Sequence, residues 1–280
     1  MHASRARRAR ALAWTLGALW LVVGVTPSSA KILKTRSPGQ AGHALALTVG
    51  NGFEYQTDPE ESEFGFPFLL EYAVTHRLTF VAEPSFVSIH SRPGQRGASV
   101  HGAGDFETTL DYELVSERRH RPALAAEAVI KWPTASHPTL GTKQTDYSLG
   151  VIASKAFVHY DLEFNALYTW VGSPAGTQLP NSMEFSMASE LHLRRSLDLE
   201  LEVVTTSAGG GFRGTSGSIG GFGGIPGSAA AARTGGGTAG TIGLAEHLNH
   251  FLKLEEGLIA GSDGSWQFVF AWEWDFSGGR

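Results

Sequence analysis

The sequence predicts an all-β protein, an antiparallel up-and-down transmembrane β-barrel of about twelve strands. Three observations support this prediction. Apolar and polar residues alternate with a period of two along most of the chain after residue 30, as in strands whose two faces meet different surroundings. Many of these runs exceed the soluble mean of about five or six residues and reach the roughly nine to eleven that a tilted strand needs to cross a bilayer. The connections also alternate between long and short, as in outer-membrane barrels.

Composition excludes several other classes of protein. The 280-residue chain is 42% hydrophobic and 18% charged, with 35 glycines and no cysteine. It is therefore neither a disulfide-stapled scaffold nor a cysteine-ligated zinc module, and it is too apolar for a polar disordered chain. Because only one apolar stretch, at the extreme N-terminus, approaches helix-spanning length, a polytopic helical membrane protein is excluded as well.

Residues 1–30 have the pattern of an export signal peptide. They open with four arginines and no acid, continue with an apolar run to Val25, and place the small residues Ser28 and Ala30 after Pro27, as a signal-peptidase site requires. The alternative is a retained membrane anchor, for which the apolar run is short. Cleavage leaves 18 bases against 27 acids, and this net acidity argues against a nucleic-acid partner.

The remaining residues, 31–280, are predicted to form the barrel. The run 160–170 places six apolar or aromatic residues on one face and mainly polar residues on the other. The run 183–193 alternates methionine, phenylalanine and leucine with glutamate, serine and histidine, and 197–203 alternates leucine and valine with acids. The run 266–276 carries six aromatic residues on one face. The complete set of predicted strands is 44–56, 64–74, 78–90, 103–115, 122–133, 145–156, 158–171, 181–193, 197–206, 238–247, 250–260 and 265–276.

The connections predict the orientation of the barrel. Long and short connections alternate along the chain, which is typical of long extracellular loops on one side and tight periplasmic turns on the other. Since the strand number is even, both termini are predicted on the periplasmic side. The glycine-rich connection 207–237 is predicted to be an extracellular loop of low complexity. The predicted long connections are 57–63, 91–102, 134–144, 172–180, 207–237 and 261–264, and the short ones are 75–77, 116–121, 157, 194–196 and 248–249.

Aromatic residues favour a membrane barrel over a soluble β-sandwich or a lipocalin-like barrel, whose strands alternate as well. Many lie near predicted strand ends, where rings at headgroup depth form girdles at both faces of a bilayer. A closed barrel also satisfies every backbone polar group, as lipid requires. In a sandwich the same residues would form an ordinary core. The predicted girdle comprises Trp132, Trp170, Trp266, Trp272, Trp274 and Phe276.

A block in the middle of the chain is similar to a known family. It contains Gly104-Asp105 at the start of a strand, the sequence KWPT at 131–134, TDYSLG at 145–150 and YTWVG at 168–172. Through these motifs, residues 102–172 resemble the outer-membrane barrel family labelled as a component of the meta-pathway of phenol degradation. The resemblance implies an outer-membrane barrel that passes small, aromatic solutes, and it supplies no set of functional residues.

If the apolar face of each strand contacts lipid, the alternate face lines the lumen and is rich in carboxylates. So many acids cannot be dry and unpaired, because desolvating an isolated charge is too costly. Asp105 and Asp275 also fall on this face. The predicted pore-lining acids are Glu71, Glu83, Glu107, Asp111, Glu113, Glu127, Asp161, Glu163, Glu184, Glu190, Asp198, Glu200, Glu202, Glu255 and Glu273.

Few bases accompany these acids. Lys131 and Lys253 are the predicted pore-lining bases, with His192 and His247 as weaker candidates. A water-filled lumen is the favoured way to solvate the acids, and protonation of many of them is an alternative. A further alternative is that loop arginines fold inward, namely Arg92, Arg96, Arg213 and Arg233.

The expected function is passive passage of small polar, cationic or aromatic solutes through an acidic, water-filled lumen. Twelve strands fall between the filled interior of eight and the wide channel of sixteen, which predicts a narrow pore, and an acidic lining favours cations. The expected partners are the outer-membrane bilayer, the barrel-assembly machinery and a small-molecule solute. No cofactor is expected, and no metal, since most histidines are scattered without metal-ligand spacing.

Two other functions stay open at this point. The first is a non-conducting structural or adhesion barrel. The second is an outer-membrane lipid hydrolase, because Ser88 and His90 share one strand face and a nucleophile and a base two residues apart can meet there. No acid or amide is predicted beside them to orient the histidine, so the sequence favours a protein that is not an enzyme.

Overall fold

The computed structural model describes residues 33, 35–37, 45–57, 61–91, 99–174, 176, 178–207, 236–249, 251–262 and 264–276. The predicted signal peptide and nearly all of the predicted glycine-rich loop lie outside these ranges. Among the residues described, no helix has the length and hydropathy to cross a membrane.

Every strand pairs antiparallel with its neighbours in a single closed sheet. From β1 the order runs through β14 and descends to β6, continuing as β3, β2, β4 and β5, and an additional pairing of β1 with β2 closes the barrel. The strands are β1 (Leu47–Thr57), β2 (Glu61–Ala73), β3 (Leu78–Glu83), β4 (Ser85–Ser91), β5 (Val100–Ala103), β6 (Phe106–Val115), β7 (Ala123–Trp132), β8 (Asp146–Ala156), β9 (Tyr160–Trp170), β10 (Ser182–Arg194), β11 (Leu197–Thr206), β12 (Gly237–Asn249), β13 (Leu252–Gly261) and β14 (Trp266–Asp275).

These fourteen segments make twelve barrel strands. β3 and β4 are two halves of one strand interrupted at Pro84, since residues 70–73 of β2 pair with β3 and residues 61–67 pair with β4. β5 and β6 likewise continue one another across Gly104-Asp105. Proline has no N–H for the ladder, but the Pro84 carbonyl still accepts a hydrogen bond from the Phe68 amide at 3.0 Å. The predicted twelve-stranded antiparallel barrel is confirmed.

Strand ends differ from the predicted ones by three residues or fewer when the interrupted strands are counted whole. Two of the predicted long connections are clearly shorter than predicted: the one predicted at 91–102 spans only 92–99 between β4 and β5, and the one predicted at 57–63 is shortened as well. Instead of a loop over 57–63, β1 continues to Thr57 and β2 begins at Glu61, with Thr57 still in register with Ser62. At the opposite end, only residues 195–196 separate β10 from β11. We call the two ends of the barrel the long-loop end and the short-turn end.

The two faces of the sheet differ in the way the alternation predicts. On β6, Leu110 and Tyr112 are 46% and 47% exposed, whereas Asp111 between them is 1% exposed. The same pattern recurs on β10, where Met187 is exposed and Ser186 and Ala188 are buried. The sheet closes on itself, and the described residues form no second layer over its apolar outer face, so the sandwich alternative is excluded. An uncovered apolar band on strands of this length is a lipid-facing surface.

Candidate functional site

The candidate site is the interior of the barrel, where the inner strand faces carry many buried carboxylates. Nine of the predicted pore-lining acids are at most 6% exposed: Glu83, Asp111, Glu127, Glu163, Asp198, Glu200, Glu202, Glu255 and Glu273. Asp105 is 2% exposed. The remaining predicted acids are partly exposed, and they are Glu71, Glu107, Glu113, Asp161, Glu184 and Glu190.

Two further buried acids on the inner face, Glu54 and Glu63, were not among the predicted ones. The Glu54 carboxylate accepts a hydrogen bond from the Gln267 side chain at 3.1 Å. The same alternation could have found Glu54, because it stands between the aromatic residues Phe53 and Tyr55.

A short piece of chain from before the first strand lies inside the barrel. Leu33 is fully buried in one apolar cluster with Leu69 of β2, Ala188 of β10 and Val269 of β14. Because β2 and β10 are six strands apart in the closed sheet of twelve, this cluster joins opposite walls. We call residues 33 and 35–37 the N-terminal segment.

Polar contacts hold this N-terminal segment to the acidic wall. The backbone N–H and hydroxyl of Thr35 donate to one Glu202 oxygen at 2.5 and 2.7 Å, and the Ser37 hydroxyl donates to Glu163. The acceptors lie on β11 and β9. The segment therefore satisfies carboxylate oxygens that face the interior.

Arg36 places a guanidinium between two neighbouring strands. It lies 2.9 Å from Asp111 of β6 and 3.9 Å from Glu127 of β7, and its side chain is 12% exposed. The loop arginines predicted as alternative counter-charges lie outside the described part of the chain, and they are Arg92, Arg96, Arg213 and Arg233. The sequence contains a signal for this contact, because a basic cluster follows the predicted cleavage site and is opposite in charge to the predicted lumen. The cluster is Lys31, Lys34 and Arg36.

The connection between β7 and β8 folds over the interior at the long-loop end. Leu140 and Ala135 are buried with Val87 and Ile89 of β4, and the Ala135 amide donates to the Asp105 carboxylate at 3.0 Å. We call residues 133–145 the infolded loop. The sequence predicts a long loop here but not its direction.

The predicted interior bases all contact acids. Lys131 pairs with Asp146 and lies 3.9 Å from Asp105. Lys253 pairs with Glu255 and lies 3.6 Å from Glu200. The weaker candidates, the two histidines, meet at one carboxylate at the short-turn end, with His192 and His247 lying 3.0 and 3.1 Å from Asp198.

The predicted girdle residues lie at strand ends, and the girdle itself remains a prediction. Trp132, Trp170 and Trp266 are 41%, 45% and 48% exposed at the long-loop ends of β7, β9 and β14. The other three are only partly exposed: Trp272 and Trp274 in the second half of β14, and Phe276 directly after it.

The Ser88 and His90 side chains do meet, on β4. Ser88 Oγ lies 3.1 Å from His90 Nε2. The group on His90 Nδ1 is the Ser99 hydroxyl at 3.3 Å, whereas a hydrolytic triad uses a carboxylate or an amide to orient and stabilise the imidazole.

Comparison with known proteins gives a fold and no family. No protein-family model matches the chain, and no curated protein matches its sequence. The COG4313 outer membrane channel from Pseudomonas putida F1 aligns with a TM-score of 0.62 and 12% identity, over 90% of this chain and 99% of that one. The KdgM porin in complex with disordered oligogalacturonate aligns at 0.50 and 6% identity, over 80% and 98%. The NanC porin aligns at 0.50 and 10% identity, over 81% and 98%. The chain therefore has the fold of an outer-membrane β-barrel.

Proposed function

We propose that this protein is an outer-membrane channel for the passive passage of small cationic or polar solutes. The observation that carries the proposal is the excess of buried carboxylates on the inner face of a closed barrel. Against them stand few interior bases among the described residues, chiefly Lys131, Lys253 and Arg36. An acidic wall stabilises cations and repels anions. The fold match to an outer membrane channel supports the same function.

The charge of the interior narrows the solute class. The KdgM porin was solved with an oligogalacturonate, which is a polyanion, but it resembles this chain in fold alone. A polyanion would meet like charge here, so we propose a solute of the opposite sign. The resemblance of residues 102–172 to the phenol-degradation family adds small aromatic solutes to the proposed class.

Two inserted pieces of chain narrow the proposed path. The N-terminal segment reaches opposite walls, and the infolded loop covers part of the long-loop end. We therefore propose a narrow pore of low conductance, with water around the inserted segments helping to solvate the inner carboxylates.

Single-channel recording tests the proposal. Folded protein, verified by its shift in gel mobility on boiling, is incorporated into planar bilayers under a KCl gradient. We expect small discrete conductance steps and a reversal potential of cation-selective sign. Glu127→Gln, in the interior, should reduce the selectivity, whereas the exposed Glu246→Gln is the matched control and should not. Absence of steps from folded protein favours the structural or adhesion barrel, and anion selectivity overturns the acidic-lumen argument alone.

We also propose that the Ser88–His90 pair is not catalytic. In the described part of the chain, His90 Nδ1 faces the Ser99 hydroxyl and not the carboxylate or amide that orients and stabilises the imidazole of a hydrolytic triad. Equal or absent phospholipid hydrolysis by the natural protein and Ser88→Ala is expected. Hydrolysis that disappears in Ser88→Ala would establish the hydrolase instead.

A further inference from the structure

Five side chains with metal-binding atoms converge at the short-turn end of the interior. They come from four consecutive strands, with Asp161 on β9, Glu190 and His192 on β10, Asp198 on β11 and His247 on β12. Strand register brings them together, because Glu190 is opposite Asp161 and His192 is opposite Asp198. We call these five residues the His–Asp cluster.

Asp198 is at the centre of the His–Asp cluster. Its Oδ1 lies 3.0 Å from His192 Nδ1 and its Oδ2 lies 3.1 Å from His247 Nε2. The other ring nitrogen of His192, Nε2, is 3.7 Å from Asp161 Oδ2. One donor atom from each of Glu190, His192 and Asp198 lies within 4.8 Å of the other two.

This spacing suits a small divalent cation. Zinc binds histidine nitrogen and carboxylate oxygen at about 2.0–2.2 Å, usually with tetrahedral geometry, which places its donor atoms about 3–3.5 Å apart. The three donor atoms lie within 4.8 Å of one another, so they would move closer together on binding the ion. Imidazole nitrogen is also the donor that favours zinc, copper or nickel over magnesium and calcium.

Three carboxylates and two imidazoles stand together in the His–Asp cluster, and Lys253 of β13 interacts electrostatically with Glu190, so the cluster offers both oxygen and nitrogen ligands to a cation. The hydrogen bond from His247 also fixes one oxygen of Asp198, in the way that a neighbouring group orients a metal-binding side chain.

We propose that Glu190, His192 and Asp198 bind a divalent transition-metal ion, such as Zn²⁺, at the short-turn mouth of the barrel, and that His247 orients Asp198. This proposal differs from the expectation from sequence that the chain binds no metal. Histidines on different strands have no ligand spacing along the sequence, so only the sheet register brings them to one carboxylate. The inference does not depend on conduction, since it concerns binding alone.

Metal titration of the folded full chain tests the site. Chelator-treated protein in detergent is titrated with ZnCl₂ by calorimetry in excess Mg²⁺, which competes for oxygen-only sites. Co²⁺ is then used as a spectroscopic probe. We expect one Zn²⁺ per chain and visible Co²⁺ absorption bands indicating nitrogen ligation. His247→Ala should weaken Zn²⁺ binding about 10–100-fold, and His192→Ala should weaken it at least about tenfold and abolish the Co²⁺ bands.

The matched control is His120→Ala, which removes an exposed histidine from a turn at the same end of the barrel and should leave Zn²⁺ affinity unchanged. Retained heat-modifiable mobility on gels verifies that each variant is folded. The proposal is overturned if the natural chain does not bind Zn²⁺ under these conditions. It is equally overturned if His192→Ala binds as tightly as the natural chain, or if His120→Ala weakens binding as much.

Discussion

At the scale of single residues, the contact of Arg36 with two carboxylates explains how neighbouring acids coexist on the inner wall. Asp111 and Glu127 are directly opposite in the β6–β7 ladder, and like charges in that position destabilise a sheet. The Arg36 guanidinium supplies the opposite charge to both carboxylates from outside the ladder. The counter-charge comes from a segment that has no strand pattern of its own.

Removing this guanidinium should therefore destabilise the barrel. Arg36→Ala leaves two buried carboxylates facing each other, and breaking a buried pair by removing one partner costs about 3–5 kcal/mol. Arg36→Lys keeps the charge but not the planar fork, and should lose less stability. Urea unfolding in detergent, followed by tryptophan fluorescence, measures both variants. Equal midpoints for Arg36→Ala and the natural chain would show that water, and not arginine, solvates the two acids.

At the scale of elements, the N-terminal segment acts as an inserted strap between walls. It contacts β2, β10 and β14 through Leu33, and β6, β7, β9 and β11 through its polar groups. None of these contacts could be inferred from periodicity, because alternation reports that a strand has two different surroundings and says nothing about what fills the interior.

Replacing residues 33–37 by a glycine-serine segment of equal length should raise single-channel conductance, because the large Leu33 and Arg36 side chains would leave the cross-section of the barrel. Cation selectivity should be retained or increased, since a positive charge leaves the interior. The control is Arg119→Ser, which removes an exposed base from a short turn. An unchanged conductance after the replacement would mean that ions pass around the segment without being limited by it.

Some features of the barrel follow from its sequence alone, and others do not. Strand number, faces and most inward acids follow from local alternation, so they could be predicted. The packing of Leu140 against Val87 and Ile89, and the meeting of His192 and His247 at Asp198, each depend on contacts between residues distant in sequence. Glu54 is different, because the alternation of Phe53 and Tyr55 around it is sufficient to predict that it faces the interior.

At the scale of the whole molecule, the closed sheet separates two environments that its alternating side chains match. The outer band is apolar over the length of strands such as β10, while the inner face is acidic and crossed by chain segments. A barrel of this kind stays dispersed only if lipid or detergent covers its outer surface, because the same surface in water would be an aggregation site. The depth at which each outer residue sits should therefore determine how well it tolerates a charge.

Two outward positions on β10 test this dependence within one strand. Met187 lies near the middle of β10 and Leu193 lies close to its short-turn end, and both are exposed, at 60% and 54%. Met187→Arg should destabilise the barrel in liposomes by about 2–4 kcal/mol, whereas Leu193→Arg should destabilise it by only about 0–1 kcal/mol. Reversible urea unfolding in liposomes measures both. Equal costs at the two positions would contradict a bilayer centred on the strands, since in water neither exposed arginine would be penalised by its position.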